Sequence, residues 1–252
     1  MHVTHVSAGA PGLINEDYVC TGGDWAIVLD GATAPAGVDS GCRHSVVWLV
    51  RHLAAGLATR LVLCDEGSLA DILAAAIRET AGAHADTCDL TNPDSPSSTV
   101  ALVRARGEVV EYLTLGDSPV VVWNRDDTFT LVSDDRLAGL PGGRPYTLEL
   151  VRELRNRAGG FWVASTEPDA GYEAISGTVP LAQVAEIGMF TDGVSRLVDW
   201  YGFTWPAVFS TLRTGGVASL ITVVRAAERE RPHPSAKRHD DATAVYARLA
   251  VV

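Results

Sequence analysis

The chain has 252 residues, 47% of them hydrophobic, with 20 Lys and Arg against 31 Asp and Glu and a formal net charge of −11. A 20% share of charged residues, with 24 Gly and 12 Pro scattered along the chain, describes a well-cored globular protein and excludes disorder and collagen-like repeats. The negative charge argues against nucleic acid as a partner. No run approaches the roughly 20 apolar residues of a membrane span, so no membrane association is expected.

The opening His2-Val3-Thr4-His5 has neither the basic start nor the apolar core of a signal peptide, so a cytoplasmic location is expected. Cys20, Cys42, Cys64 and Cys88 form no C-x-x-C pair, and no His stands at zinc-ligand spacing from them. They read as reduced, mostly buried thiols rather than a disulfide or zinc framework. With no internal repeat and no linker, residues 1–252 read as a single domain.

Taken in order, residues 24–31 are an apolar run of strand length closed by Asp30-Gly31. Residues 42–60 carry apolar positions at helical spacing, with Ser40 as N-cap, and a second helix spans about 68–85. Residues 88–97 form a loop. Four β-rich runs follow at 98–104, 108–115, 119–123 and 128–132, and turn residues between them predict an antiparallel meander. The Gly- and Pro-rich stretch 138–160 suits a mobile flap around a short helix. A strand at 185–190 leads into Thr191-Asp192-Gly193. Residues 205–230 read as one long helix opened by Pro206 and kinked at Gly215-Gly216, and a strand begins at Ala242 and runs to the C-terminus. The order implies an α+β layered domain with helices over antiparallel sheet.

Asp30, Asp117, Asp192 and Asp240 each stand at the edge of an apolar, strand-like run. A carboxylate beside buried strands is costly unless something positive neutralises it. Few Lys or Arg lie nearby in sequence, so a hard divalent cation, Mg²⁺ or Mn²⁺, is the natural partner. Converging carboxylates could hold two ions and activate a water between them, which is the chemistry of phosphoester hydrolysis. Each Asp-Gly or Gly-Asp-Ser taken alone is also a common turn sequence.

In order, the chain reads Asn15-Glu16-Asp17, Asp30-Gly31, Gly116-Asp117-Ser118, Thr191-Asp192-Gly193 and Asp240-Asp241-Ala242-Thr243. This series resembles the signature of the type 2C, metal-dependent serine/threonine protein phosphatases, in the manner of a divergent bacterial member. The resemblance implies a four-layer α-β-β-α sandwich of two antiparallel sheets flanked by helix pairs. It also implies catalytic roles for Asp30, Asp192 and Asp240. Asp30 would bridge two Mg²⁺ or Mn²⁺ ions and the Gly31 carbonyl would bind one. Asp192 and Asp240 would complete one ion, Glu16 and Asp17 would serve the second, and Asp117 would match a third, loosely held metal.

The family's phosphate-gripping Arg falls on Gly12 here, and Asp30-Gly31 continues into Ala32-Thr33-Ala34-Pro35 rather than a Gly-Gly. Arg43 and His44, at a predicted helix start, and Arg196 are the substitute candidates for the phosphate dianion. His239 is a candidate outer partner of Asp240. The expected activity is hydrolysis of a phosphomonoester on a phosphorylated protein. The open alternatives are a small phosphorylated metabolite as substrate, or a non-catalytic binding module on the same fold.

Overall fold

The computed structural model describes residues 1–63, 66–143, 145–233 and 237–249. Along the chain run β1 (His2–Ala8), β2 (Tyr18–Thr21), β3 (Trp25–Ala32), α1 (Val46–Val62), α2 (Leu69–Gly82), β4 (Ser97–Arg106), β5 (Val109–Leu115), β6 (Val120–Asn124) and β7 (Phe129–Val132). Then come α3 (Leu148–Leu154), β8 (Ile175–Pro180), β9 (Val184–Phe190), α4 (Asp192–Asp199), α5 (Trp205–Glu230) and β10 (Ala242–Arg248). One sheet has the order β1-β10-β9-β6-β7 and the other β2-β3-β4-β5-β8, and all pairings between these strands are antiparallel.

Strand periodicity builds the layers, because successive side chains point to opposite faces. On β3, Ile27 and Leu29 pack against α1 and α2, while Ala26 and Val28 face the other sheet. On β10, Val245 and Ala247 join the inter-sheet core, while Ala244 and Tyr246 meet α4 and α5. The result is the expected α-β-β-α sandwich with three apolar interiors.

Several elements differ from the sequence expectation. Helix α1 begins at Val46, because Ser45 rather than Ser40 is its N-cap and accepts from the Trp48 N–H at 3.3 Å; residues 42–45 are loop. The four runs between 98 and 132 are two hairpins in different sheets. Gly116, at φ +77°, turns the chain from one sheet to the other, and a Cβ there would meet Thr99 Cγ2 at 2.9 Å. The buried hydroxyls of Thr99 and Ser118 share a 2.6 Å hydrogen bond across this turn. The stretch after Thr191 forms helix α4. Strands β1, β2 and β8 were not expected. Cys64 and residues 250–252 lie outside the described residues.

Part of the 138–160 stretch packs into a local apolar cluster around the short helix α3, while most of its described residues are half-buried or exposed. Leu140, Phe161 and Val163 are buried against Leu150, Val151 and Leu154 of the α3 region, and Arg152 clasps Asp94 through three contacts of 2.6–3.0 Å.

Helix α5 breaks at Gly216, whose φ of 73° and ψ of −178° are non-helical. By length and composition it could cross a bilayer, with a mean hydropathy of 1.5 over its most apolar window. Here it lies on the sheet, burying Val208, Phe209, Leu212, Leu220 and Val224.

Candidate metal centre

Asp30 sits near the end of β3, where the strand leaves the core, and its register partner is Thr99 of β4. Gly31 follows because nothing larger fits: a Cβ there would run into Val46 Cγ1 and lie 2.5 Å from the Glu16 carbonyl. That close approach lays residues 15–17 beside Asp30. The Asn15 carboxamide oxygen accepts from the Asp17 N–H at 3.1 Å, forming the turn that turns Asp17 inward.

Asp17 is 6% exposed. Its Oδ2 accepts from Thr191 Oγ1 at 2.9 Å and from Thr243 Oγ1 at 2.7 Å. These threonines precede Asp192 and follow Asp241, so three separated motifs meet at one carboxylate. Asp241 points the other way and accepts from the backbone N–H groups of Ala10 at 2.8 Å and Glu16 at 2.6 Å. A Cβ on Gly193 would collide with the Asp241 carbonyl, so only glycine lets α4 start this close to β10.

A cleft of about 560 Å³ opens over these groups. Glu16, Asp30, Gly31, Asp117, Asp192 and Asp240 line it, with Asp17 buried behind. Leu137, Tyr146 and Phe161 form a facing wall. Burial pushes Asp30 well above the ordinary carboxylate range, reinforced by Asp17, Asp192, Asp117 and Asp240. Burial likewise raises Asp192 to about 7, with Asp117 and Asp240 adding to the effect and Arg196 opposing it. Asp17 is raised to about 7 by burial, against the two threonine hydrogen bonds.

Asp17 Oδ1 is buried and has no hydrogen-bond partner among the described residues. An all-oxygen donor set with crowded carboxylates and one orphaned oxygen is what a hard divalent cation requires, so the residues present fit Mg²⁺ or Mn²⁺.

The expected phosphate partners are not in the cleft. Arg43 and His44 lie outside its lining, because they precede the true start of α1; the His44 ring stacks on Trp48 with centroids 4.3 Å apart. Arg196 is 1% exposed and committed to carboxylates: Asp240 at 2.8 Å, Glu228 at 3.3 Å and Asp192 at 3.7 Å. It is a positioning residue. His239 donates from Nδ1 to Glu228 Oε2 at 2.7 Å rather than serving Asp240. Gly12 occupies an exposed turn at φ +79°.

Two cations that sequence reasoning missed do line the cleft, Lys237 and Arg155. Lys237 Nζ lies 3.4 Å from Asp240 Oδ1, and Arg155 donates from Nη1 to the Pro93 carbonyl at 3.0 Å. Burial lowers the Arg155 guanidinium to about 10, so it remains charged at neutral pH. Lys237 was visible three residues before Asp240, whereas Arg155 carried no local signal.

A family model described as Protein phosphatase 2C matches residues 5–225. Among solved structures the fold is similar to the serine/threonine phosphatase PstP/Ppp of Mycobacterium tuberculosis, at TM-score 0.62 and 20% identity over 98% of each chain. It is also similar to the serine/threonine phosphatase Stp1 from Staphylococcus aureus, at TM-score 0.63 and 12% identity, covering 98% of this chain and 94% of that one. A PstP catalytic domain in complex with two manganese ions aligns at TM-score 0.59 and 20% identity, over 98% of this chain and 97% of that one. No curated protein matches the chain.

Proposed function

The chain belongs to the protein phosphatase 2C family of metal-dependent serine/threonine phosphatases, and from that premise we propose how its own residues perform the hydrolysis. Asp17, Asp30, Asp192 and Asp240, with the Gly31 carbonyl, would hold Mg²⁺ or Mn²⁺, Glu16 would stand beside them and Asp117 would serve a further ion. When bound, such ions neutralise charge on the phosphoryl oxygens and acidify a water for in-line attack.

The chain supplies the rest. Thr191 and Thr243 hold Asp17 by its Oδ2 and leave Oδ1 free to ligate. Arg196 holds Asp240 Oδ2 from beneath the site. Asp241 ties residues 10 and 16 to the start of β10, keeping the Glu16 backbone against Gly31. Lys237 and Arg155 take over the dianion-binding task that the family assigns to the position of Gly12, because a phosphate needs charged donors on its outer oxygens. The wall of Leu137, Tyr146 and Phe161 offers apolar surface to the residues flanking a phosphoserine or phosphothreonine.

The observation that carries this reading is the convergence of Asp30 and Asp192 on one cleft, with Asp17 buried behind it, all three raised by burial and Asp17 Oδ1 without a partner among the described residues. Hydrolysis of an aryl phosphate, phosphopeptides and sugar phosphates is measured with Mn²⁺, Mg²⁺ or EDTA, for wild type, Asp30→Asn and Asp192→Asn. Metal-dependent turnover of phosphopeptides, lost in both folded variants, supports the assignment. Preference for sugar phosphates overturns the substrate class, and full activity in EDTA overturns the site.

A further inference from the structure

Where the start of α1 meets the end of α2, two histidines and two cysteines converge that the hydrolytic site does not use. Cys42 and His44 lie in the loop before α1; His84 and Cys88 lie just past the end of α2. One donor atom from each of the four falls within 4.8 Å of all the others. Four of its edges are Cys42 Sγ to Cys88 Sγ at 3.3 Å, Cys88 Sγ to His44 Nδ1 at 3.4 Å, Cys42 Sγ to His84 Nδ1 at 3.6 Å and Cys42 Sγ to His44 Nδ1 at 3.9 Å.

A tetrahedron with zinc–sulfur bonds of about 2.3 Å and zinc–nitrogen bonds of about 2.0–2.1 Å has sulfur–sulfur edges of about 3.8 Å and sulfur–nitrogen edges of about 3.5 Å. The four edges scatter around those values. Softness separates this cluster from the first site: thiolate and imidazole select zinc, whereas Mg²⁺ and Mn²⁺ prefer carboxylate oxygen.

The surroundings are built for ligation. The Arg43 N–H points at Cys88 Sγ at 3.3 Å, and a backbone donor on a ligating sulfur stabilises the thiolate. Trp48 stacks on His44, and its ring centroid lies 5.0 Å from that of His84, so the indole fixes both imidazoles. His84 is only 4% exposed. We infer that Cys42, His44, His84 and Cys88 form a structural Zn²⁺ site that clamps the loop before α1 to the end of α2. Both clamped segments continue into the cleft lining, at residues 31–35 on one side and at Pro93, Asp94, Ser95 and Ser97 on the other. A zinc site here departs from the sequence expectation that the cysteines form no zinc framework. Local spacing rules missed the site because the two halves, C-x-H and H-x₃-C, stand forty residues apart.

The test is metal analysis of the full chain purified under reducing conditions and dialysed against EDTA. The expected result is one zinc per chain, retained in Asp30→Asn and lost in Cys42→Ser/Cys88→Ser. Because that double variant can unfold, wild type refolded with Co²⁺ provides a second readout: tetrahedral ligand-field bands with a thiolate charge-transfer band are expected. Zinc near zero together with an octahedral Co²⁺ spectrum overturns the site. So does a Cys42–Cys88 disulfide found by mass spectrometry under non-reducing conditions in the protein as isolated.

Discussion

Arg196 donates to Asp240 at 2.8 Å from a side chain that is 1% exposed, so the aspartate nearest Lys237 is held from below by a cation that substrate cannot reach. Burial works against the guanidinium, and Asp192, Asp240 and Glu228 together keep it charged. Removing one partner of such a network leaves carboxylates uncompensated. Arg196→Met is expected to lose about 3–5 kcal/mol of stability in urea unfolding. It should also weaken Mn²⁺ binding measured by calorimetry. A loss below about 1 kcal/mol would show that the network is not held together by its charges.

Metal-free protein should lose stability as pH rises. Asp17 and Asp192 keep their protons up to about 7 in the folded state, against 3.8 for an ordinary aspartate. Between those limits the unfolded chain binds fewer protons than the native one, so the slope of stability with pH is negative. Each fully differing carboxylate contributes about 1.4 kcal/mol per pH unit. In EDTA the melting temperature is therefore expected to be higher at pH 5 than at pH 7, while added Mn²⁺ stabilises most at pH 7, where the carboxylates ionise to receive it. A melting temperature in EDTA that rises from pH 5 to pH 7 contradicts the raised pKa values.

Lys237→Ala and Arg155→Ala each remove a charged donor from the cleft lining. A charge-assisted hydrogen bond of about 1.5–3 kcal/mol corresponds to a loss of roughly 10–100-fold in kcat/KM. The loss is expected mainly in KM for Arg155→Ala, since Arg155 faces the cleft without an ion pair to a candidate metal ligand. Unchanged kinetics in both variants would return the question of what grips the phosphate to another side chain.

Gly193→Ala tests the contact between α4 and β10. The new methyl meets the Asp241 carbonyl, and overpacking of this kind costs about 1–3 kcal/mol. Because Asp192 and Asp240 flank that contact, a larger factor is expected in the apparent Mn²⁺ constant than in the affinity for a product analogue. Equal losses in both would indicate general destabilisation.

Readable from sequence were the carboxylates Asp30, Asp117, Asp192 and Asp240, each at the edge of an apolar, strand-like run, and Glu16 and Asp17 through the order of the motifs. The close approach at Gly31 and the change of sheet at Gly116 are the structural reasons for the glycines in that series. What was hidden depends on tertiary placement. The commitment of Arg196 to Asp240 and Glu228 spans up to 44 residues of sequence. Strands β1 and β8 escaped because they are half exposed and broken by polar, Gly or Pro residues, which leaves no clean alternation. The start of α1 was misplaced because Cys42 and His44 mimic a helical face while folding toward His84 and Cys88.

The carboxylates around the cleft do not belong to one sheet. Asp17 and Asp30 adjoin β2 and β3, Asp192 and Asp240 adjoin β9 and β10, and Asp117 lies on the crossing between the sheets. Any ligand that touches Asp30 and Asp192 at once is thus a rivet through both layers of the sandwich, fastened at one end only. A small slip of one sheet past the other would be amplified there, so the spacing of the donors gauges how well the apolar layer between the sheets is packed.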